Sequence, residues 1–173
     1  LDLVRVSRRM YTAITMTPSL TALETLHTDL ERLFQAHREA LVAGDIQTAA
    51  QRLHHYRQTL LRHIADERDF ILPLLTERAL EGPGNRREMY DAEHTRIEEL
   101  LNVIAKRVSS LATAEPRAVL EILDSETTFK NLMEHHHLRE HNLLYPVLDR
   151  ALEPTLIAYI LSRCARALDT KAA

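Results

Sequence analysis

One short pattern occurs twice in this chain. His63 is followed four residues later by Glu67 and six residues after that by Pro73; His136, Glu140 and Pro146 repeat the same spacing. On an α-helix, positions i and i+4 lie one turn apart on the same face. Each pair therefore aims an imidazole and a carboxylate at one point, and those two groups suit a first-row transition metal. Apolar runs follow each Glu (Phe70, Ile71, Leu72 and Leu143, Leu144, Tyr145), so the pairs are expected in a core. A buried carboxylate without a partner is strongly destabilising there. The pattern thus asks for long helices around an interior cation site.

The rest of the composition agrees. The chain has 173 residues, enough for one domain with a real core. Only 3 Gly and no Trp, with many Leu, Ala, Glu and Arg, point to an all-α protein. A net charge of −3 gives no electrostatic reason to expect nucleic acid or a membrane surface as partner. The single Cys164 excludes an internal disulfide framework and fits a reducing cytoplasm. No apolar run is long enough to span a membrane, and Arg8-Arg9 precedes no long apolar segment, so a cytoplasmic location is expected. Residues 1–18 read as a leader or upstream segment, 19–152 as the bundle, and 153–173 as a C-terminal helix and tail.

Four amphipathic stripes can be traced by spacings of three and four. The first starts at a cap on Ser19 or Thr21 and carries Leu23, His27, Leu30, Phe34, His37 and Leu41, stopping at Gly44. The second carries Ala49, Leu53, Tyr56, Leu60, His63, Glu67, Phe70 and Leu74, and runs to about Leu80. The third carries Tyr90, His94, Ile97, Leu101, Ile104, Val108 and Leu111. The fourth opens at Pro116 and carries Val119, Ile122, Glu126, Phe129, Met133, His136, Glu140, Leu143 and Val147. Pro73 and Pro146 predict a kink just past each His–Glu pair. Short links make this an up-down-up-down four-helix bundle, closed by a short extra C-terminal helix from Leu156 to Leu168. That last helix either caps the bundle or forms a dimer contact, so the protein is expected as a monomer or homodimer.

Height along the bundle selects the remaining ligands. In an antiparallel hairpin, facing residues are equally far from the turn. The midpoint of His94 and His136 is Glu115, inside the linker. The midpoint of His27 and His63 is Asp45, in the first turn, whereas that of His37 and His63 is Ala50, inside the second helix. His37 would stand about 15 Å too high at ~1.5 Å per residue, so His27 is chosen. His37 then falls level with Glu126, and a buried His37–Glu126 hydrogen bond away from the metal is predicted, since buried polar groups need partners. A lone His on an apolar stripe is usually a satisfied core residue; His27, His63, Glu67, His94, His136 and Glu140 at one height reverse that reading. Four imidazoles and two carboxylates suit two ions, with His27 and His63 on one, His94 and His136 on the other, and the two Glu residues bridging.

These residues resemble the hemerythrin-like superfamily, the HHE cation-binding domains. The resemblance covers roughly residues 19–152, in the order His27, His63 with Glu67, His94, and His136 with Glu140. Leu72-Pro73 and Tyr145-Pro146 are similar to the family's ending of the motif. It implies a four-helix bundle around two Fe ions with an oxo or hydroxo bridge (Mn or Zn as alternatives). It also implies O2 binding, sensing, or a role in oxidative and nitrosative stress, including iron–sulfur repair. Oxygen-carrying members have a further His where this chain has Tyr90, and use His-x4-Asp where the residue five after His136 is His141. The iron–sulfur repair proteins commonly carry an N-terminal cysteine-containing domain, which residues 1–173 do not show. A ferritin-like site would need Glu-x-x-His, and Leu60 stands three before His63.

Tyr90, one turn before His94, is expected either to line an open coordination position or to be an ordinary core Tyr. His137 and His141 flank the fourth helix and are expected at the rim of the site, beyond the ligands. His54 and His55 lie off the stripe and should face solvent, and Glu24 and Asp91 read as outward-facing acids. The expected function is binding or sensing of a small diatomic or peroxide ligand. The alternatives are a redox enzyme turning over peroxide or NO, and iron handling; no catalytic residue is assigned.

Overall fold

The computed structural model describes residues 17–164. A 3-10 turn (Leu20–Leu23) leads into α1 (Glu24–Val42), followed by α2 (Ile46–Phe70), α3 (Leu72–Glu77), α4 (Arg87–Ser109) and α5 (Pro116–Arg139). A π-helical turn (Glu140–Leu144) joins α5 to α6 (Tyr145–Ala151), and α7 (Pro154–Cys164) ends the described chain. No strand occurs among the described residues, and none of their helices is long and apolar enough to cross a membrane. The expected leader falls almost wholly outside the described residues, as does the tail after Cys164.

The long helices α1, α2, α4 and α5 form the bundle, each packed on the next around the ring. Neighbours run in opposite directions. Along α1 and α5, Glu24 meets His141 at one end and Arg38 meets Glu126 towards the other. The turns follow their residue chemistry. Ser19 Oγ accepts from the Thr21 amide at the start, and Asp45 Oδ1 accepts from the Thr48 amide to cap α2. Gly44, between α1 and that cap, takes a φ of 78°, a left-handed conformation that favours glycine. Ser19 also donates to Asp149 and the Leu20 amide bonds the same carboxylate, which ties the chain's entry into α1 to α6.

The core has two apolar parts. The larger one fills the bundle from Leu26 and Ile64 up to Leu41, Leu53, Ile104 and Val119. The smaller one joins Leu20, Leu23, Ile71, Leu72, Leu75, Tyr90, Leu144, Tyr145 and Leu148 to Ile157, Ile160 and Cys164. Helix α7 thus closes one end of the bundle. Full burial of each such aliphatic side chain contributes about 1.5–3 kcal/mol before entropy is counted.

Regular α-helix is interrupted just before each proline, and the interruptions alter the stripes. The second helix does not run unbroken to Leu80: α2 stops at Phe70 and Pro73 sits in the first turn of α3. In the fourth helix, the Tyr145 amide bonds the carbonyl of Glu140, five residues back, and Pro146 begins the next turn. The wide turn adds one residue to the face. Leu143 and Val147, expected on the stripe, are only partly buried, while Leu144, Tyr145 and Leu148 turn inward. Phe70 and Leu74 are likewise displaced by Ile71, Leu72 and Leu75.

Candidate metal centre

Between the two apolar parts lies one polar layer. It contains His27 from α1, His63 and Glu67 from α2, His94 from α4, His136 from α5 and Glu140 from the π turn, none more than 6% exposed. The His–Glu spacing of four puts each pair on one face, and the antiparallel hairpins bring His27 level with His63 and His94 level with His136. The Nε2 atoms of His27 and His63 are 2.9 Å apart, and those of His94 and His136 are 3.1 Å apart. Two imidazoles bound side by side on one ion, each at about 2.1 Å, would place their nitrogens about 3.0 Å apart at a right angle.

Both carboxylates span the two histidine pairs. Glu67 sets Oε1 3.6 Å from His63 Nε2 and Oε2 3.1 Å from His94 Nε2. Glu140 sets Oε2 3.4 Å from His27 Nε2 and Oε1 3.0 Å from His136 Nε2. The result is two donor quartets: His27, His63, Glu67 and Glu140 in one, and Glu67, His94, His136 and Glu140 in the other. Each quartet's donor atoms lie within 4.8 Å of one another.

The electrostatics call for a cation. Burial drives the His27 pKa down to about 2, assisted by the neighbouring His137 and His63 rings. Burial also lowers His63. For His136 burial opposes the charge, but Glu140, Glu93 and Glu67 outweigh it and hold the ring up to about 10. Burial and the nearby Glu67 push Glu140 up to about 8. Glu67 is held well below the usual carboxylate range, because His63, His94 and His136 outweigh its burial. Both Glu140 oxygens and Glu67 Oε2 lack a well-formed hydrogen bond within the protein. Two buried carboxylates, orphaned oxygens and converging imidazole nitrogens fit a metal site.

Residues around this layer support it unevenly. His136 Nδ1 donates to Glu93 Oε2 at 3.0 Å, and Arg139 Nη2 holds the other Glu93 oxygen at 2.8 Å. A carboxylate behind a ligating imidazole fixes its tautomer and raises its basicity. Tyr145, read from sequence as part of an apolar run and of the Tyr145-Pro146 dipeptide but given no role at the site, puts its hydroxyl 3.3 Å from Glu67 Oε1 and 3.4 Å from His27 Nε2. Its fully buried phenol is held well above its ordinary pKa by burial and by Glu140 and Glu67.

The match to a known family falls on this layer. Residues 85–167 match the family model of the Hemerythrin HHE cation binding domain. Residues 85–167 are hemerythrin-like. No curated protein and no solved structure matches it. The hemerythrin-like match takes in His94, His136 and Glu140, while His27, His63 and Glu67 lie before it and supply the same residue types in the same order. In this hemerythrin-like site the flanking residues divide. His137 lies flat on His27, with ring centroids 4.0 Å apart and planes 4° apart. Tyr90 donates to Asn85 Oδ1 at 2.8 Å and sets its ring 6.3 Å from that of His136. His141 is not at the rim of the site but on the surface, bonded to Glu24 at 2.6 Å. His54 and His55 face solvent, and Asp91 pairs with Arg87.

Proposed function

We propose that the protein holds two iron ions in this layer and takes up O2, NO or a peroxide at them, as a binding or sensing module. The observation that carries this reading is the splitting of each carboxylate between the two histidine pairs. His27 and His63 would hold one ion, His94 and His136 the other, with Glu67 and Glu140 common to both. Four protein donors per ion leave coordination positions for an external ligand. Bound iron supplies Lewis acidity and one-electron chemistry. The chain supplies the rest: a buried interior, a His136 tautomer fixed by Glu93, and a hydroxyl at Tyr145 able to donate a hydrogen bond within the site. Mixed nitrogen and oxygen donors also accommodate Mn or Zn, so metal analysis of freshly purified protein comes first. The expected result is two irons per chain. Anaerobic reduction followed by O2, NO or H2O2, watched by visible absorption, should then give a stable adduct that reverses on ligand removal. Zinc alone, one ion per chain, or no spectral response would defeat this reading.

Tyr145 favours a second reading, as a redox enzyme of peroxide or NO, because its Oη holds a proton beside Glu67. Repeated turnover by the iron-loaded protein, lowered in Tyr145→Phe at unchanged iron content, would establish that reading over the first.

A further inference from the structure

Because all six donors are buried, a small molecule needs a way to them. Helix α1 is clasped at two places, by Glu24 to His141 in the π turn that follows α5 and by His37 and Arg38 to Glu126 in α5. Between the clasps the helices part around a cavity of about 470 Å³, floored by Leu30, Phe34, Phe129 and Met133. Its lining includes His137, the ring that lies flat on His27. We infer that this groove admits a neutral diatomic gas to the metal layer, with the His137 ring as its door; the inference rests on the function proposed above.

Three observations support it. The door is one imidazole thick, since His137 lines the cavity on one side and touches a donor residue on the other. His137 Nε2 is buried with no hydrogen-bond partner in the protein, so no bond at that atom resists rotation of the ring. The rim mixes Glu31 and Glu134 with Lys130, which offers an anion no net attraction, while the floor is aromatic and aliphatic. A neutral apolar gas enters such a floor without giving up hydrogen bonds to water, whereas H2O2 would lose them.

Two measurements on the full chain test this. In metal-free protein, xenon should shift the NMR signals of the Met133 and Leu30 methyl groups; no shift there overturns the groove as a gas site. In the iron-loaded, reduced protein, stopped-flow absorption should follow NO binding to the wild type, Met133→Trp, Glu134→Trp and His137→Ala. Either Trp plug should slow association and dissociation together by about tenfold, leaving Kd within about twofold, and His137→Ala should speed both. Glu134 is exposed, so its variant keeps the test valid if the Met133 variant fails to fold. Unchanged rates in folded Trp variants that still bind NO overturn the route and leave the proposed function standing. If the wild type takes up no NO, O2 replaces it as the probe in the same variants; a wild type that takes up neither of these nor H2O2 contradicts the proposed function, and xenon alone then decides whether the groove holds gas.

Discussion

Glu93 lies one position off the buried stripe of α4, so periodicity gives no reason to notice it beside His94. It matters because α5 runs antiparallel and brings His136 Nδ1 to its carboxylate. Glu93→Gln should keep the fold and weaken metal binding by about 10- to 100-fold, the usual effect of losing a carboxylate behind a ligating histidine. Competition with a coloured chelator measures it. The opposite case is Glu126, which interrupts an apolar stripe and was readable as the partner of His37. It accepts from Arg38 Nε at 3.0 Å and lies 3.0 Å from His37 Nε2, whose Nδ1 donates to the Ala49 carbonyl at 2.8 Å. Removing one member of a buried charged set typically costs about 3–5 kcal/mol. Glu126→Ala should lower stability by about that much in urea unfolding while metal content stays at the wild-type level, because this trio stands about ten residues, or ~15 Å, along the bundle from the ligands.

At the scale of elements, straight helices made the sequence legible. Where residue number is proportional to height, the six donors and the His37–Glu126 pair follow from midpoints and phase alone. The same arithmetic fails past Glu140, because the π turn spends one residue without advancing the face, and Tyr145 turns inward where Leu143 and Val147 were expected. The cause was visible in Pro146, which cannot donate to the carbonyl four residues back; its consequence for phase was not. Such turns behave as one-residue insertions into an α-helix. Deleting Asn142 should therefore be absorbed as a regular α-turn and keep metal content near the wild-type level. Inserting one Ala after Asn142 should reduce it sharply. Metal-to-protein ratios on the two purified variants decide the point.

For the molecule as a whole, the extra helix α7 was expected from its apolar residues, but spacing could not say whether it capped the bundle or met a second copy. Ile157, Ile160 and Cys164 are buried against the lower core, so α7 covers that end of the bundle. It also has a titration signature. Burial and the nearby Asp66 and Glu67 push the Cys164 thiol from an ordinary 9.0 up to about 12. Folding thus favours the protonated thiol. Its contribution is fully present below pH 9.0 and is lost progressively as pH rises towards about 12. At pH 8 a thiol reagent should label Cys164 only after α7 detaches, so labelling in native buffer should be far slower than in denaturant.

The exchange of carboxylates between the two hairpins carries a consequence for assembly. Glu67 reaches from the first hairpin to His94 in the second, and Glu140 reaches from the second to His27 in the first. Neither half of the molecule owns a finished binding position. Loss of either acid should therefore empty both positions together instead of leaving one filled, and metal uptake becomes a report that the N- and C-terminal hairpins have docked in register.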